Sequence, residues 1–144
     1  MKYLAGVLCI VVALVAGAAP PKGHDRLPSA DWKAMQQVIG EQLTALKAGD
    51  ATKAMTYAVP GVRQQFRTPE RFLRMVREGY RPLLDARSSS FLEGAVVDGQ
   101  TIQPLQLVMP DNTVLVALFE MQKQKDGRWQ IAGCVIAPST AQST

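Results

Sequence analysis

The sequence has few of the residues that most catalytic and metal sites require. Its single histidine, His24, lies in a proline-rich stretch, and its two cysteines, Cys9 and Cys134, are far apart in the chain. A Ser-His-Asp triad or a histidine-based metal site therefore has no histidine to use within the folded region. No glycine-rich phosphate loop occurs either, because the Asp-Gly pairs of the chain are typical of turns. The sequence predicts no cofactor and no metal.

Aromatic residues are also scarce, at 6% of the chain, and 16 basic residues face 12 acidic ones. Nucleic-acid-binding domains have a denser basic face, and the arginines here are spread out without aromatic residues between them. Binding to nucleic acid is therefore not expected. Five arginines recur at helical spacing: Arg67, Arg71, Arg74, Arg77 and Arg81. This spacing indicates a solvated basic helix face, or a contact with an anionic partner or membrane.

The N-terminus contains the one long apolar run, residues 4–19, behind the basic Lys2. A positive start, an apolar middle and small residues at the end are the pattern of a secretory signal peptide. A membrane-spanning helix needs about 20 apolar residues, and this run is shorter. We therefore expect the signal peptide to be cleaved. The alternative is that the run is retained as a membrane anchor. The predicted segments are a signal peptide (1–18), a linker (19–31), a folded domain (32–137) and a polar tail (138–144).

The first half of the domain has apolar residues spaced by three and four, which predicts helices. Ser29 is the expected N-cap of the first helix, and Asp50 is the expected N-cap of the second. A short turn follows, and Thr68 opens a third helix, which Gly79 and Pro82 close. This half of the domain therefore predicts three helices.

The second half alternates apolar and polar residues, which predicts strands. Asp98-Gly99 is a turn signal, and Pro104 suggests an edge strand or a bulge. Residues 113–124 are apolar on both faces at first, which favours a central strand. A hairpin turn at 125–127 leads to the last strand, where Trp129 is expected to pack on the sheet. Three helices followed by about four antiparallel strands predict an α+β fold.

Cys134 lies in that last strand, RWQIAGCVI. Regular alternation predicts one face with Trp129, Ile131, Gly133 and Val135, and a second face with Ala132, Cys134 and Ile136. Because Cys9 leaves with the signal peptide, Cys134 has no partner within the mature chain. We expect a buried thiol that acts as a small hydrophobic core residue. An intermolecular disulfide and a reactive or pocket-lining thiol are the alternatives.

Four stretches, in this order and spacing, resemble the bacterial domain-of-unknown-function family 4864: EQLTALKAGD, AMTYAVPGVRQQF, FLRMVREGYRP and VALFEMQKQKDGRWQIAGC. The resemblance runs from about Met35 to Ile136. Members are short secreted domains that often end in W-x-I-x-G-C, and they look like the nuclear-transport-factor-2-like superfamily. The resemblance implies a cone, in which three helices wrap a curved antiparallel sheet. It implies no activity, since fold alone does not choose one.

The pocket of such a cone is the first place to look for a site. The pocket-lining candidates are Tyr57, Tyr80, Met75 and Phe119. A ketosteroid-isomerase-like mechanism needs a carboxylate base and a hydroxyl or acid as oxyanion donor. Glu120 is the one weak catalytic candidate, because it shares a strand face with apolar residues, where burial would raise its pKa. The alternative is that the strand has reached solvent at this position. Asp85 is a second carboxylate, and a position within hydrogen-bond reach of a tyrosine hydroxyl would also support such a mechanism.

These observations favour a periplasmic or secreted, non-enzymatic domain with a pocket for a small apolar ligand. The alternative is an interaction module anchored in the inner membrane by an uncleaved N-terminal run. Such a module would bind a partner protein, or a second copy of itself, through the sheet or the basic helix. An isomerase-like or cyclase-like enzyme is the third hypothesis.

Overall fold

The computed structural model describes residues 26–139. The predicted signal peptide with Cys9, the part of the linker that holds His24, and residues 140–144 of the predicted tail lie outside the described residues. Within 26–139 the chain forms five helices and then five strands. The predicted α+β class is confirmed.

The helices occupy the first half of the described chain, and none of them is long and apolar enough to cross a membrane. They are α1 (Ser29–Lys47), α2 (Ala51–Thr56), α3 (Pro60–Phe66), α4 (Pro69–Gly79) and α5 (Arg81–Asp85). The structure has α3 and α5 in addition to the three predicted helices. Pro82, predicted to close a helix, lies in the first turn of α5, where the N–H that proline lacks is not needed.

Two predicted helix caps are confirmed. Oδ1 of Asp50 accepts a hydrogen bond from the N–H of Lys53 at 3.1 Å. Oγ1 of Thr68 accepts one from the N–H of Arg71 at 3.3 Å. Each cap satisfies one of the N–H groups that the first turn of a helix leaves without a partner.

The predicted cap of α1 is wrong by one residue. Pro28 is the N-cap, and Ser29 is already helical. The carbonyl of Pro28 accepts the N–H of Asp31 at 3.0 Å, so the first turn begins there. Proline fits this position because its restricted φ suits the start of a helix and no N–H is required.

The strands form one antiparallel sheet. They are β1 (Ser88–Phe91), β2 (Ala95–Val97), β3 (Gln100–Val108), β4 (Val114–Lys123) and β5 (Trp129–Pro138). The long strands lie in the order β3-β4-β5, and β1 and β2 both pair with the remaining side of β3. The predicted turn between β2 and β3 is confirmed, because Asp98 and Gly99 both have positive φ, at 50° and 77°.

The sheet has an inner face, which packs on the helices, and an outer face. The inner face and the helices share one core that includes Met35, Ile39, Phe72, Leu105, Leu107, Ala117, Phe119, Met121, Trp129 and Ile131. We define the outer face by the opposite residues of the long strands: Ile102, Pro104, Gln106, Val108, Val114, Val116, Leu118, Glu120, Gly133, Val135 and Ala137. Burial of the inner face is the main driving force for folding.

A bulge interrupts the pairing of β4 and β5. Met121 is opposite Ile131, whereas the preceding residue, Glu120, is opposite Gly133. Ala132 is therefore the extra residue of the bulge. One extra residue shifts every later side chain of β5 to the other face of the sheet.

The bulge overturns the predicted faces of β5. Cys134 was predicted on the face opposite Trp129, but it lies on the inner face with Trp129 and packs against the core. Val135 was predicted to share the face of Trp129, and it lies on the outer face. The alternation used for the prediction holds only in a regular strand.

Pro104 lies neither on an edge strand nor at a bulge, as its sequence context had suggested. It is inside β3, opposite Leu118 of β4. On the other side of β3, β1 pairs as far as Leu105 and β2 begins at Ile102, so Pro104 faces the loop between them. Its carbonyl accepts the N–H of Leu92 at 3.1 Å. No strand lies where the missing N–H of proline would be needed.

Candidate functional site

Glu120 lies on the outer face, half-buried, between Ile102 on β3 and Gly133 on β5. Its predicted phase with the apolar residues of β4 is confirmed, since positions 114, 116 and 118 share this face. The face points away from the helices that carry Tyr57 and Tyr80. The sheet therefore separates the carboxylate of Glu120 from both tyrosine hydroxyls, and the pair that an isomerase would need is not brought together.

Tyr57 follows α2 and connects the helices to β5. Its carbonyl accepts the N–H of Ile131 at 2.8 Å, and its hydroxyl lies beside the carboxylate of Glu41. Burial raises the pKa of Tyr57, and the charge of Glu41 raises it further. The side chain of Gln37 donates to Glu41 at 3.0 Å and, together with Tyr57, lowers the pKa of that carboxyl. Because Glu41 is exposed, the contact joins α1 to α2 at the surface and encloses no site.

Tyr80 is half-buried and lies near Cys134. Burial raises the pKa of Tyr80, and the proximity of the Cys134 thiol raises it further. Burial also raises the pKa of the Cys134 thiol to about 12. The residue as a whole is only partly buried, on the edge strand β5, but its thiol is enclosed. The thiol is therefore protonated at neutral pH, and a protonated thiol is a poor nucleophile.

The remaining pocket candidates, Phe119 and Met75, pack with the core. Phe119 is 1% exposed and belongs to the core itself, and Met75 is half-buried against it. Two shallow hollows lie on the described surface, and both are open to solvent. The first, of about 530 Å³, is lined by Pro60, Arg63, Gln64 and Arg67. The second, of about 520 Å³, is lined by Asp85, Met109, Pro110, Asp111 and Thr113. Neither hollow is lined by any of the four pocket candidates.

The carboxylates of the second hollow have local partners. Asp85 forms a 2.9 Å ion pair with Arg81. Hydrogen bonds from the side chain and the backbone N–H of Thr113 lower the pKa of Asp111. Within residues 26–139, no group of three or more His, Cys, Asp or Glu side chains is arranged to hold a metal ion.

Gln103 is a buried polar residue that the sequence pattern did not reveal. It is 0% exposed, on the inner face of β3. Its amide donates to the carbonyls of Leu92 at 2.8 Å and Pro104 at 2.9 Å, and its carbonyl oxygen accepts from Gln36 at 3.3 Å. Among the described residues, every buried side-chain nitrogen and oxygen has such a partner. Gln103 therefore holds the loop after β1 against β3, with no polar atom left over for a ligand.

The outer face is an apolar surface that the helices leave uncovered. Its hydrophobic residues are Ile102, Pro104, Val108, Val114, Val116, Leu118, Val135 and Ala137, and none of them belongs to the described core or packs against it. Val135 is 39% exposed. A strand with apolar residues on both faces, as in VLVALF of β4, is typical of a sheet covered on both sides. The same run is the signal in the sequence for this second surface.

Glu120 is the only ionisable residue among the outer-face positions defined above. Gln106 also lies there, and Gln100 and Gln122 continue the same face at the strand ends; all three are uncharged amides. The outer face can therefore bury apolar area against another surface, and one carboxylate on it can recognise a positive charge.

Comparison with known proteins places the whole described fold in one family. No curated protein and no solved structure matches the chain. The sequence model of DUF4864, a domain of unknown function, matches residues 28–144, a range that includes every described helix and strand. The chain therefore belongs to the DUF4864 family.

Proposed function

We propose that this chain is an extracytoplasmic, non-enzymatic interaction domain that binds a partner protein through the outer face of its sheet. One observation carries the proposal: the central strands have an apolar face that the described helices leave uncovered. Large exposed apolar patches on soluble proteins commonly mark interaction surfaces. The apolar face would be covered when the partner is bound.

The charge on this face specifies the partner. Burying a carboxylate without a partner is costly, and the outer-face positions include no lysine or arginine that could pair with Glu120. A second copy of the chain would bring only another Glu120 to the interface. A partner with an apolar patch and one lysine or arginine opposite Glu120 fits better, because it satisfies both the apolar residues and the charge.

The proposed location follows from the N-terminal sequence. A basic start, an apolar run and small residues before the predicted cleavage point favour export across a membrane. Mass spectrometry of the native N-terminus tests this. A start near Ala19 supports a periplasmic or secreted domain, whereas an intact Met1 supports the inner-membrane-anchored alternative.

The proposed architecture is the nuclear-transport-factor-2-like cone, in a bacterial protein. An antiparallel sheet with all its described helices on one face supports it. In this architecture the space between helices and sheet is where a ligand would bind. Here Phe119 and Leu105 are each 1% exposed in that space, so docking on the outer face has more support than a small apolar ligand inside. An isomerase-like site has the least support, because Glu120 and the tyrosines lie on opposite sides of the sheet.

Site-specific photo-crosslinking in living cells tests the docking surface. A photoreactive residue replaces Leu118 on the outer face, and the matched control carries it at Thr52, an exposed residue of α2. We expect one defined adduct from position 118 and none from position 52. Glu120→Lys should abolish the adduct, and changing the facing basic residue of the identified partner to glutamate should restore it.

Other results would overturn parts of the proposal. An adduct with twice the mass of the chain would make a second copy the occupant. The absence of an adduct at position 118 would remove the docking surface. Turnover in a broad esterase and isomerase screen, lost in Glu120→Gln, would contradict the non-enzymatic function.

A further inference from the structure

Helices α3 and α4 carry a set of unpaired arginines. We call the exposed side chains of Arg63, Arg67, Arg71, Arg74 and Arg77 the arginine surface. None of them lies within 4.0 Å of a carboxylate in the described part of the chain. The three ion pairs among residues 26–139 involve Arg81, Lys123 and Arg128 instead. The arginine surface thus has positive charge that the fold itself leaves without a partner.

The net charge of the whole chain is concentrated in this region. Residues 60–81 include six arginines and two glutamates, Glu70 and Glu78, which lie exposed on α4 among the arginines. This excess of four positive charges equals the net charge of the full chain, +4. The rest of the sequence is balanced, so the electrostatic attraction of the protein for an anionic surface is directed through α3 and α4.

The geometry favours an extended anionic surface over a single small anion. The hollow that includes Arg63 and Arg67 is open to solvent, and Arg71, Arg74 and Arg77 follow one another at intervals of three residues along α4. Arginines spaced by about 4.5 Å along a helix do not converge on one point. They match a plane with many phosphates, because each guanidinium can bind one phosphate group with two hydrogen bonds.

The apolar residues of α4 are not available for insertion into lipid. Phe72, Leu73 and Val76 are buried in the core, so contact with a bilayer would be electrostatic and confined to its surface. The proposed export bears on which anionic surface is met. Export directed by the N-terminal apolar run, as proposed above, brings the domain out at the surface of a membrane.

We propose that the arginine surface binds the phosphate headgroups of an anionic phospholipid bilayer and lays α3 and α4 against it. This binding is separate from docking on the outer face of the sheet, which involves other residues. Its affinity falls as salt screens the charges. Each arginine contributes about fivefold to the affinity.

Sedimentation with lipid vesicles tests the proposal, with the protein in the form purified from the cell envelope. Binding to phosphatidylcholine vesicles is the baseline, and vesicles that also contain phosphatidylglycerol are the probe. We expect the anionic vesicles to bind more protein than the baseline, and added salt to release the excess. The variant with Arg71→Gln, Arg74→Gln and Arg77→Gln should lose about a hundredfold of the affinity for anionic vesicles.

A matched control removes the same number of charges elsewhere. It carries Arg87→Gln, Lys125→Gln and Arg128→Gln, all at exposed positions, and should keep most of the binding. If both triple variants lose the same affinity, only overall charge matters and the arginine surface is not a site. Equal binding of the wild type to both kinds of vesicle overturns the proposal. If the first triple variant is unfolded by circular dichroism, the single substitution Arg74→Glu replaces it and should lower the affinity at least fivefold.

Two further binding measurements distinguish a bilayer from other anionic ligands. Inorganic phosphate in excess should leave binding to anionic vesicles intact, and displacement by it would indicate a small-anion site. Soluble polyglutamate should bind more weakly than the vesicles. Tight binding of polyglutamate without binding of vesicles would identify an acidic protein as the partner and overturn the membrane proposal.

Discussion

The indole N–H of Trp129 donates a hydrogen bond to Oδ1 of Asp31 at 3.1 Å, across 98 positions of the chain. The same oxygen is 3.5 Å from Nζ of Lys123, which lies 5.9 Å from the ring centre of Trp129. Asp31 is in the first turn of α1, where the helix dipole favours a carboxylate. One carboxylate thus joins the first helix to the last hairpin of the sheet.

Replacing this carboxylate should destabilise the fold. Trp129 as a residue is 7% exposed, and in Asp31→Ala its indole N–H loses its hydrogen-bond acceptor. We expect the free energy of unfolding in urea to fall by about 1–3 kcal/mol. Asp85→Ala is the control, because its ion pair with Arg81 is exposed and should contribute less than about 1 kcal/mol. Equal losses in the two variants would show that the bond to Trp129 adds nothing.

Gly94 lies against the ring of Trp32, and a methyl group there has no room. A Cβ added at Gly94 would meet Cζ3, Cη2 and Cε3 of the indole well inside van der Waals contact. We expect Gly94→Ala to lower the free energy of unfolding by about 1–3 kcal/mol. In Gly40→Ala, a helical glycine with nothing within 4 Å of the added atom, we expect a gain of about 0.5–1 kcal/mol.

A double variant identifies the ring as the cause of that loss. Trp32→Leu should cost less in the Gly94→Ala background than in the wild type, because in that background it also removes the clash between the added methyl group and the indole. Additive losses in the urea titrations would mean that Gly94 is needed for another reason.

The thiol of Cys134 should react slowly in the native state. Its pKa is about 12, against an ordinary value of 9.0, because it is buried. At pH 8 we expect a thiol reagent to label the folded protein at least about a hundredfold more slowly than the protein in urea. Similar rates in the two states would place the sulfur at the surface.

The same thiol should make stability depend on alkaline pH. The folded state keeps a proton that the unfolded state releases above pH 9, and burial raises the folded pKa to about 12. This contribution to stability is therefore complete below about pH 9 and is lost as the pH rises toward about 12. Over this range the free energy of unfolding of the wild type should fall more steeply than that of Cys134→Ala. Parallel curves for the two proteins would contradict a buried thiol.

The helix caps give a further prediction. Thr68 accepts the N–H of Arg71, whereas Ser29, inside the first turn of α1, makes no cap hydrogen bond. Thr68→Ala should lower the free energy of unfolding by about 1 kcal/mol, and Ser29→Ala should change it by less than about half of that. Thermal unfolding of the two variants in parallel checks this. A larger effect at Ser29 would restore it as the cap.

Local sequence was sufficient where the determining contacts are local. Asp50 and Thr68 cap helices because their side chains reach an N–H three residues ahead, and Asp98-Gly99 turns because both residues adopt positive φ. The α+β class follows from a change of period along the chain. The caps and the turn each depend on residues within a few positions of each other, and the class depends only on local periodicity.

The faces of β5 and the position of Pro104 required the tertiary structure. The bulge at Ala132 depends on how β5 pairs with β4, and the gap that accepts Pro104 depends on where β1 ends and β2 begins. The separation of Glu120 from Tyr57 and Tyr80 depends on which face of the sheet the helices cover. A strand period tells which residues share a face, but it does not tell which face is buried.

By itself the sequence determined the order and type of most elements, the charge excess between residues 60 and 81, and a central strand that is apolar on both faces. Only the tertiary structure decided that one of these apolar faces forms the core and that the described helices leave the other uncovered, with Glu120 on it. It also decided that Asp31 meets Trp129 and that Cys134 lies on the inner face. The physical reason is that composition and periodicity act over a few residues, whereas burial is decided by which distant elements pack together.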